Sequence, residues 1–236
     1  MPQAEGACKL CGAGALRSVY AHPSGQRLLA CRACGFRFLA GSGAAAWDYW
    51  ATGGSTRNVD VYAHPDVVAA DRARHDRDLD LIECQMPTGK LLDYGCGTGA
   101  FVERAEARGW TAGGVDVSAS AVAHARAQGR PVWTLDEYRR LDDPRGQPPY
   151  DVITLWDVLE HLDDPHPVMR WLASQMREDG LLFLETPAWN HWVKRLSLAV
   201  TRASWGKLDV ARFFVYPDHR LYFTERTLRR LMETHG

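Results

Sequence analysis

From residue 90 onward, short apolar runs alternate with helix-length segments, and this alternation leaves the chain very few folds. Lys90–Asp93 reads as a strand, and Ala100–Arg108 as a helix closed by Gly109. Gly114–Val117 follows as a strand, and Ser118 caps a helix that stops at Gly129. Pro131–Thr134, Asp151–Leu155 and Leu181–Glu185 complete a set of five strands, with a helix over Pro165–Arg177 between the last two. Strands joined by helices of this length require right-handed crossovers and a parallel sheet covered on both faces. The expected class is therefore α/β, with a doubly wound, mostly parallel sheet. Ligands bind such sheets over the carboxyl ends of the strands, which directs attention to the loops after Leu92, Val117, Thr134, Leu155 and Glu185. A helix over Asp66–Gln85 leads into the alternation.

The first of those loops is rich in glycine. Asp93-Tyr-Gly95-Cys-Gly97-Thr-Gly99-Ala100 connects the first strand to the first helix. Glycines let the chain turn sharply and let a ligand approach backbone N–H groups at a helix start. Asp116 ends the second strand, where a carboxylate can accept both ribose hydroxyls of a nucleoside. Taken alone, the loop also fits a dinucleotide fingerprint.

The amino-terminal part carries a different signal. Cys8 and Cys11 form one C-x2-C pair, Cys31 and Cys34 another, and each pair is followed by a glycine, Gly12 or Gly35. Four thiolates delivered by two short knuckles suit one tetrahedral Zn2+ with no open position, hence a structural ion. Leu16–Tyr20 and Arg27–Ala30 between the pairs predict a β-hairpin, the layout of a zinc ribbon. Cys84 and Cys96 stand outside this pattern, and Cys84 is expected to be a small buried residue.

The conjunction of these motifs resembles class I S-adenosylmethionine-dependent methyltransferases with a Rossmann-like sheet. Asp93-x-Gly95-x-Gly97-x-Gly99 looks like their first motif, which surrounds the methionine part of the cofactor, and Asp116, with Val117 beside it, matches their ribose carboxylate. The resemblance implies that Leu135 packs on the adenine and that Asp136 lies near its amino group. Trp156-Asp157-Val-Leu-Glu160-His161 is similar to the motif after the fourth strand in small-molecule members, which adds Trp156 and Asp157 to the implied cofactor site. The four-cysteine ribbon, Trp47-Asp-Tyr49-Trp50, and the late His219-Arg-Leu-Tyr222 segment resemble a bacterial subgroup that modifies sugars, polyketides and other secondary metabolites. The implied organisation is a zinc ribbon over 1–45, a helical linker and cofactor cover over 46–89, and a methyltransferase domain over 90–236. That family adds two strands after the last helix, whereas this chain stops at Gly236, so either a longer chain or a partner subunit at the sheet edge is expected.

Methyl transfer to a hydroxyl needs a base, and histidine is best matched to neutral pH. His161, His219 and Tyr222 are the expected catalytic residues, and His191 is a further candidate. Residues 188–217 hold Trp189, Trp192, Trp205, Phe213, Phe214 and Tyr216 and are expected to form a lid lining the acceptor pocket.

Charge narrows the partners. The chain has 28 basic and 29 acidic residues in 236, so it lacks the excess charge of a nucleic-acid or membrane binder. Residues 191–236 nevertheless carry 9 basic against 4 acidic side chains, which suits an anionic small-molecule acceptor. Met1–Gly6 lacks the basic start and apolar run of an export signal, so a cytoplasmic location is expected. Two other readings remain: an RNA methyltransferase gripping RNA through the ribbon, and a non-catalytic cofactor-binding subunit.

Overall fold

The computed structural model describes residues 6–41, 64–141, 148–189 and 192–236. Trp47, Tyr49, Trp50 and His191 lie outside the described residues. The chain divides into two compact units: Met1–Ala46 with Leu159–Arg170 and Thr186–Gly236, and Trp47–Val158 with Trp171–Glu185. This division cuts across the linear one, because residues 186–236 group with the cysteine-bearing segment.

The sheet of the second unit has the expected parallel order. Its strands are β4 (Lys90–Tyr94), β5 (Thr111–Asp116), β6 (Val132–Thr134), β7 (Tyr150–Trp156) and β8 (Met176–Glu185), arranged β6-β5-β4-β7-β8. Leu91 and Leu92 of central β4 are fully buried, as expected for a strand covered on both faces. The order reverses at β4, which makes the loops after β4, β5 and β7 the ligand-binding region of the sheet. Two strand starts differ from the sequence reading by more than one residue. β5 begins at Thr111, because Gly113 and Gly114 pair in register with Leu92 and Asp93 despite their low strand propensity. β8 begins at Met176, where the chain pairs once with Tyr150 before a bulge returns the register at Val152–Leu181.

Helices α1 (Pro65–Glu83), α2 (Ala100–Ala107), α3 (Ala119–Ala127) and α4 (Leu135–Tyr138) belong to this unit. α1 buries Leu79 and Ile82 against Phe101 and Val102 of α2 in one core cluster. Arg104 and Arg108 of α2 reach back to Asp76, Asp80 and Glu83 of α1. His75 is buried edge-on against Phe101, with ring centroids 5.3 Å apart. Cys84, expected inside, is exposed at the C-cap of α1. α5 (Pro165–Gln175) follows β7 and ends directly at β8.

The first unit is built on a four-stranded antiparallel sheet: β1 (Leu16–Ala21), β2 (Arg27–Cys31), β3 (Arg37–Ala40) and β9 (Leu221–Tyr222). The expected hairpin is present as β1–β2. β9 comes from the far end of the chain and pairs with β3 through Arg37–Tyr222 and Phe38–Leu221. Leu28, Leu39, Trp189, Leu198, Val215 and Tyr222 pack together as the core of this unit. α6 (Trp192–Ala203) supplies Leu198, and α7 (Glu225–His235) begins with a capping box between Thr224 and Thr227. Among the described residues, no helix is long and apolar enough to cross a membrane.

Candidate active site

The glycine loop after β4 adopts the conformations its composition allows. Gly95, Gly97 and Gly99 have φ of 81°, 51° and 72°, all in the left-handed region. Gly95 is also the point of tightest packing, since a Cβ there would lie 2.3 Å from Cγ2 of Val158. Gly95→Ala is therefore expected to cost roughly 1–3 kcal/mol of stability through overpacking, with a further ~1–2 kcal/mol from its positive φ. Chemical denaturation showing no loss would contradict this account. At Gly97 the space is open.

Asp116, at the end of β5, ties this loop to the next one. Its Oδ2 accepts from Gly97 N–H at 2.8 Å and its Oδ1 from Ser118 N–H at 2.7 Å. Burial raises its pKa, against the opposing pull of the N–H groups of Ser118, Gly97 and Val117. Asp93, at the end of β4, is 1% exposed and accepts from Thr154 Oγ1 at 2.8 Å. Burial pushes its pKa up to about 7, and the nearby Asp116 adds to the shift.

The other residues of the implied cofactor site follow or end strands β6 and β7 of the same sheet. Thr134 caps α4 in a capping box with Glu137, which fixes Leu135 and Asp136 at the carboxyl end of β6. Leu135 is buried, whereas the Asp136 side chain faces solvent and lies 3.9 Å from Arg139. Trp156 packs against Phe101 and Phe183, with centroids 4.9 and 5.3 Å away. Asp157 follows with φ of 51°, unusual for a non-glycine residue, and its carboxylate lies 3.8 Å from Arg74. Asp93, Gly95, Gly97, Gly99, Asp116, Val117, Leu135, Asp136, Trp156 and Asp157 all belong to the parallel-sheet unit.

The candidate catalytic residues belong to the other unit. His161 closes a short 3-10 turn, Leu159–His161, and its ring lies 4.8 Å from that of His219, edge to face. His161 Nδ1 is 3.0 Å from the carbonyl oxygen of Asp218. A carbonyl only accepts, so in the neutral ring the proton sits on Nδ1 and the lone pair on Nε2. Burial, reinforced by the facing His161, lowers the pKa of His219 to about 4. Tyr222 is placed differently. It is 2% exposed, donates its hydroxyl to the Tyr216 carbonyl at 3.0 Å and packs on Trp189. Burial drives its pKa far above the ordinary tyrosine range, so its place is that of a packing residue beside His219.

The aromatics of the 188–217 segment divide by exposure. Trp189 is buried with Tyr222, whereas Trp192, Trp205, Phe213 and Tyr216 are exposed. Glu160, which the sequence reading treated only as part of a motif, lies beside the two histidines: ligand atoms of Glu160, His161 and His219 all fall within 4.8 Å of one another. The Glu160-His161 dipeptide was the available signal, but nothing local links it to a histidine 58 positions later.

The four cysteines converge as their spacing requires. Cys8 and Cys34 sulfurs lie 3.6 Å apart, those of Cys11 and Cys31 3.7 Å apart, and none is in a disulfide. The knuckles repeat one geometry: Gly12 N–H donates to Cys8 O and Gly35 N–H to Cys31 O, with both glycines at positive φ. Burial works to raise the pKa of Cys31, yet the N–H groups of Cys34 and Ala33, with the adjacent cysteines, bring it down to about 7.

Comparison with known proteins assigns the chain to a family. The family model described as a methyltransferase domain matches residues 69–236, and the chain belongs to that family. The ubiquinone biosynthesis O-methyltransferase of Aeromonas salmonicida (strain A449) is 32% identical over 151 residues, 62% of each chain. Its counterpart in Glaesserella parasuis serovar 5 is 30% identical over 105 residues, 41% of this chain and 44% of that one. The matches thus span about half the length of these curated relatives. Among solved structures, the magnesium protoporphyrin IX methyltransferase of Synechocystis PCC 6803 with bound SAH superposes with a TM-score of 0.56 at 22% identity, covering 80% of this chain and 86% of that one. The plantazolicin methyltransferase in complex with SAH gives 0.54 at 14% identity, covering 80% and 73%. These structures share the class I methyltransferase fold.

Proposed function

We propose that the protein transfers a methyl group from S-adenosylmethionine to a hydroxyl of a small, anionic molecule. The observation that carries this reading is the pair of carboxylates, buried Asp93 and half-buried Asp116, joined by a glycine loop with open space at Gly97. The loop and Asp93 would receive the methionine part of the cofactor, Asp116 the ribose, and Leu135 the adenine face. Oxygen as the acceptor atom is supported by the relatives named as O-methyltransferases, and sugars or secondary-metabolite intermediates are the acceptor class we favour. Lys194, whose charge is felt by both Glu160 and His219, supports an anionic acceptor. The near-balance of 28 basic and 29 acidic residues weighs against nucleic acid.

In-line displacement asks the protein to align acceptor oxygen, methyl carbon and sulfur, and to remove one proton. His219, with His161 beside it, is the proposed base, since its lowered pKa keeps that imidazole neutral at pH 7. We further propose that Cys8, Cys11, Cys31 and Cys34 hold a structural Zn2+, a donor set of four soft sulfurs at mutual distances that suit a tetrahedral ion.

Cofactor binding should depend on pH through Asp93. Its carboxyl is protonated below about pH 7, whereas a cationic sulfonium and ammonium ligand favours the ionised form. Affinity is therefore expected to fall as pH drops from 8 to 5, approaching about tenfold per unit below the pKa. Asp93→Asn should bind more weakly and show a flat profile. Calorimetry giving a wild-type profile with the same slope in that variant would reject Asp93 as the titrating group, and no binding at any pH would reject the methyltransferase reading itself.

A further inference from the structure

The Glu160, His161 and His219 cluster has an organisation that proton transfer alone does not require. Two imidazole nitrogens and one carboxylate oxygen are brought within 4.8 Å of one another from two distant stretches of chain. Each stretch is pinned to the other by its backbone: Arg220 N–H donates to Glu160 O at 2.7 Å, and His161 Nδ1 donates to Asp218 O at 3.0 Å. The same sheet fixes this arrangement from behind, because Leu39 N–H donates to Arg220 O at 2.8 Å. The groups around the cluster are those that orient ligands to a metal. A ring nitrogen of His161 is engaged by a main-chain carbonyl, and Glu160 Oε2 accepts from Thr186 Oγ1 at 2.9 Å. Lys194 has partners of its own, the Ala188 carbonyl at 3.1 Å and the faces of Trp189 and Tyr222.

We propose that Glu160, His161 and His219 form a binding site for a divalent cation that also takes the acceptor's hydroxyl oxygen. Two imidazoles and a carboxylate suit Mn2+, Fe2+ or Zn2+ and leave coordination positions for substrate. The proposal rests on the O-methyl transfer read above and alters one step of it. The cation draws electron density from the bound hydroxyl, whose proton passes to solvent. The oxygen lone pair then forms the O–CH3 bond as the C–S bond breaks, its electron pair staying on sulfur to give the neutral thioether. If no cation binds, His219 acting directly as base is the form of the reaction that survives.

Mn2+ tests this site selectively, because a four-thiolate ribbon disfavours so hard an ion. Electron paramagnetic resonance titration of the full chain, with its ribbon zinc in place, is expected to show one Mn2+ bound with micromolar Kd. Glu160→Gln, which keeps a partner for Thr186, and His219→Ala are each expected to weaken it by about 10–100-fold. Both variants should retain one zinc per chain and wild-type circular dichroism, which keeps the comparison meaningful. Absence of saturable Mn2+ binding, or equal binding by both variants, overturns the cation site. Adenosylmethionine binding measured on the same samples separates the two ideas. Cofactor binding without Mn2+ overturns the cation and leaves the methyltransferase, whereas Mn2+ without cofactor supports the site and removes its role in methyl transfer.

Discussion

Exchanging Asp116 for alanine is expected to weaken S-adenosylmethionine binding by at least about 100-fold, to a level calorimetry no longer detects. Two charge-assisted hydrogen bonds to ribose, at ~1.5–3 kcal/mol each, account for a loss of that size. The local cost adds to it, because Asp116 also satisfies the N–H groups of Gly97 and Ser118, which shape the loop and start α3. Asp116→Asn separates these contributions. It keeps an acceptor for one of the two N–H groups but loses the charge, so it should recover most of the thermal stability and little of the affinity. A Kd within threefold of wild type in the alanine variant would remove Asp116 from the cofactor site.

Breaking the cysteine cluster should produce the opposite pattern. Replacing Cys8 or Cys34 with serine, or stripping the metal with a chelator, is expected to lower methyl transfer at least about 100-fold while leaving adenosylmethionine affinity within about threefold. Structural zinc sites contribute roughly 10–16 kcal/mol of apparent folding free energy, far more than a small hairpin can replace. Its loss should disorder β1–β3 and, through the β3–β9 ladder, the segment that carries His219. The residues of the cofactor site belong to the other compact unit. Hydrogen exchange provides the check: protection should collapse in β1–β3 and β9 and persist in β4, β5 and β7. Equal turnover by the zinc-free protein would show that the cluster plays no part in holding the site.

The features legible in the sequence are those with local causes. Five parallel strands followed from apolar runs of strand length set between helix-length segments, and the glycine loop followed from backbone conformations that only glycine adopts readily. The cysteine knuckles were readable because metal ligation imposes spacing. Where long-range contacts decide, the sequence was silent. Leu221–Tyr222 is too short to signal a strand, and its partner Phe38 lies 183 positions away. The sequence reading began the second strand only at Gly114, leaving Gly113 outside it, and Gly114 is where the absence of a Cβ admits Cys96, whose sulfur would lie 2.7 Å from such an atom. Tyr222 was read as catalytic and Trp189 as a lid residue because aromatic side chains serve cores and functional sites equally well. His161 and His219 were each chosen for chemistry, but their pairing, and the carboxylate of Glu160 beside them, depends on a turn and a strand brought together in three dimensions.

The placement of β9 also governs the order in which the molecule can be assembled. During synthesis β3 emerges long before its remaining neighbour, whose paired residues lie more than 180 positions further on. Until then one edge of the amino-terminal sheet has unpaired N–H and C=O groups, the condition in which strands pair with the wrong partner. Closing so long a loop is slow in proportion to its sequence separation. Deletions that remove Leu221–Tyr222 should therefore lower soluble yield out of proportion to the two residues involved.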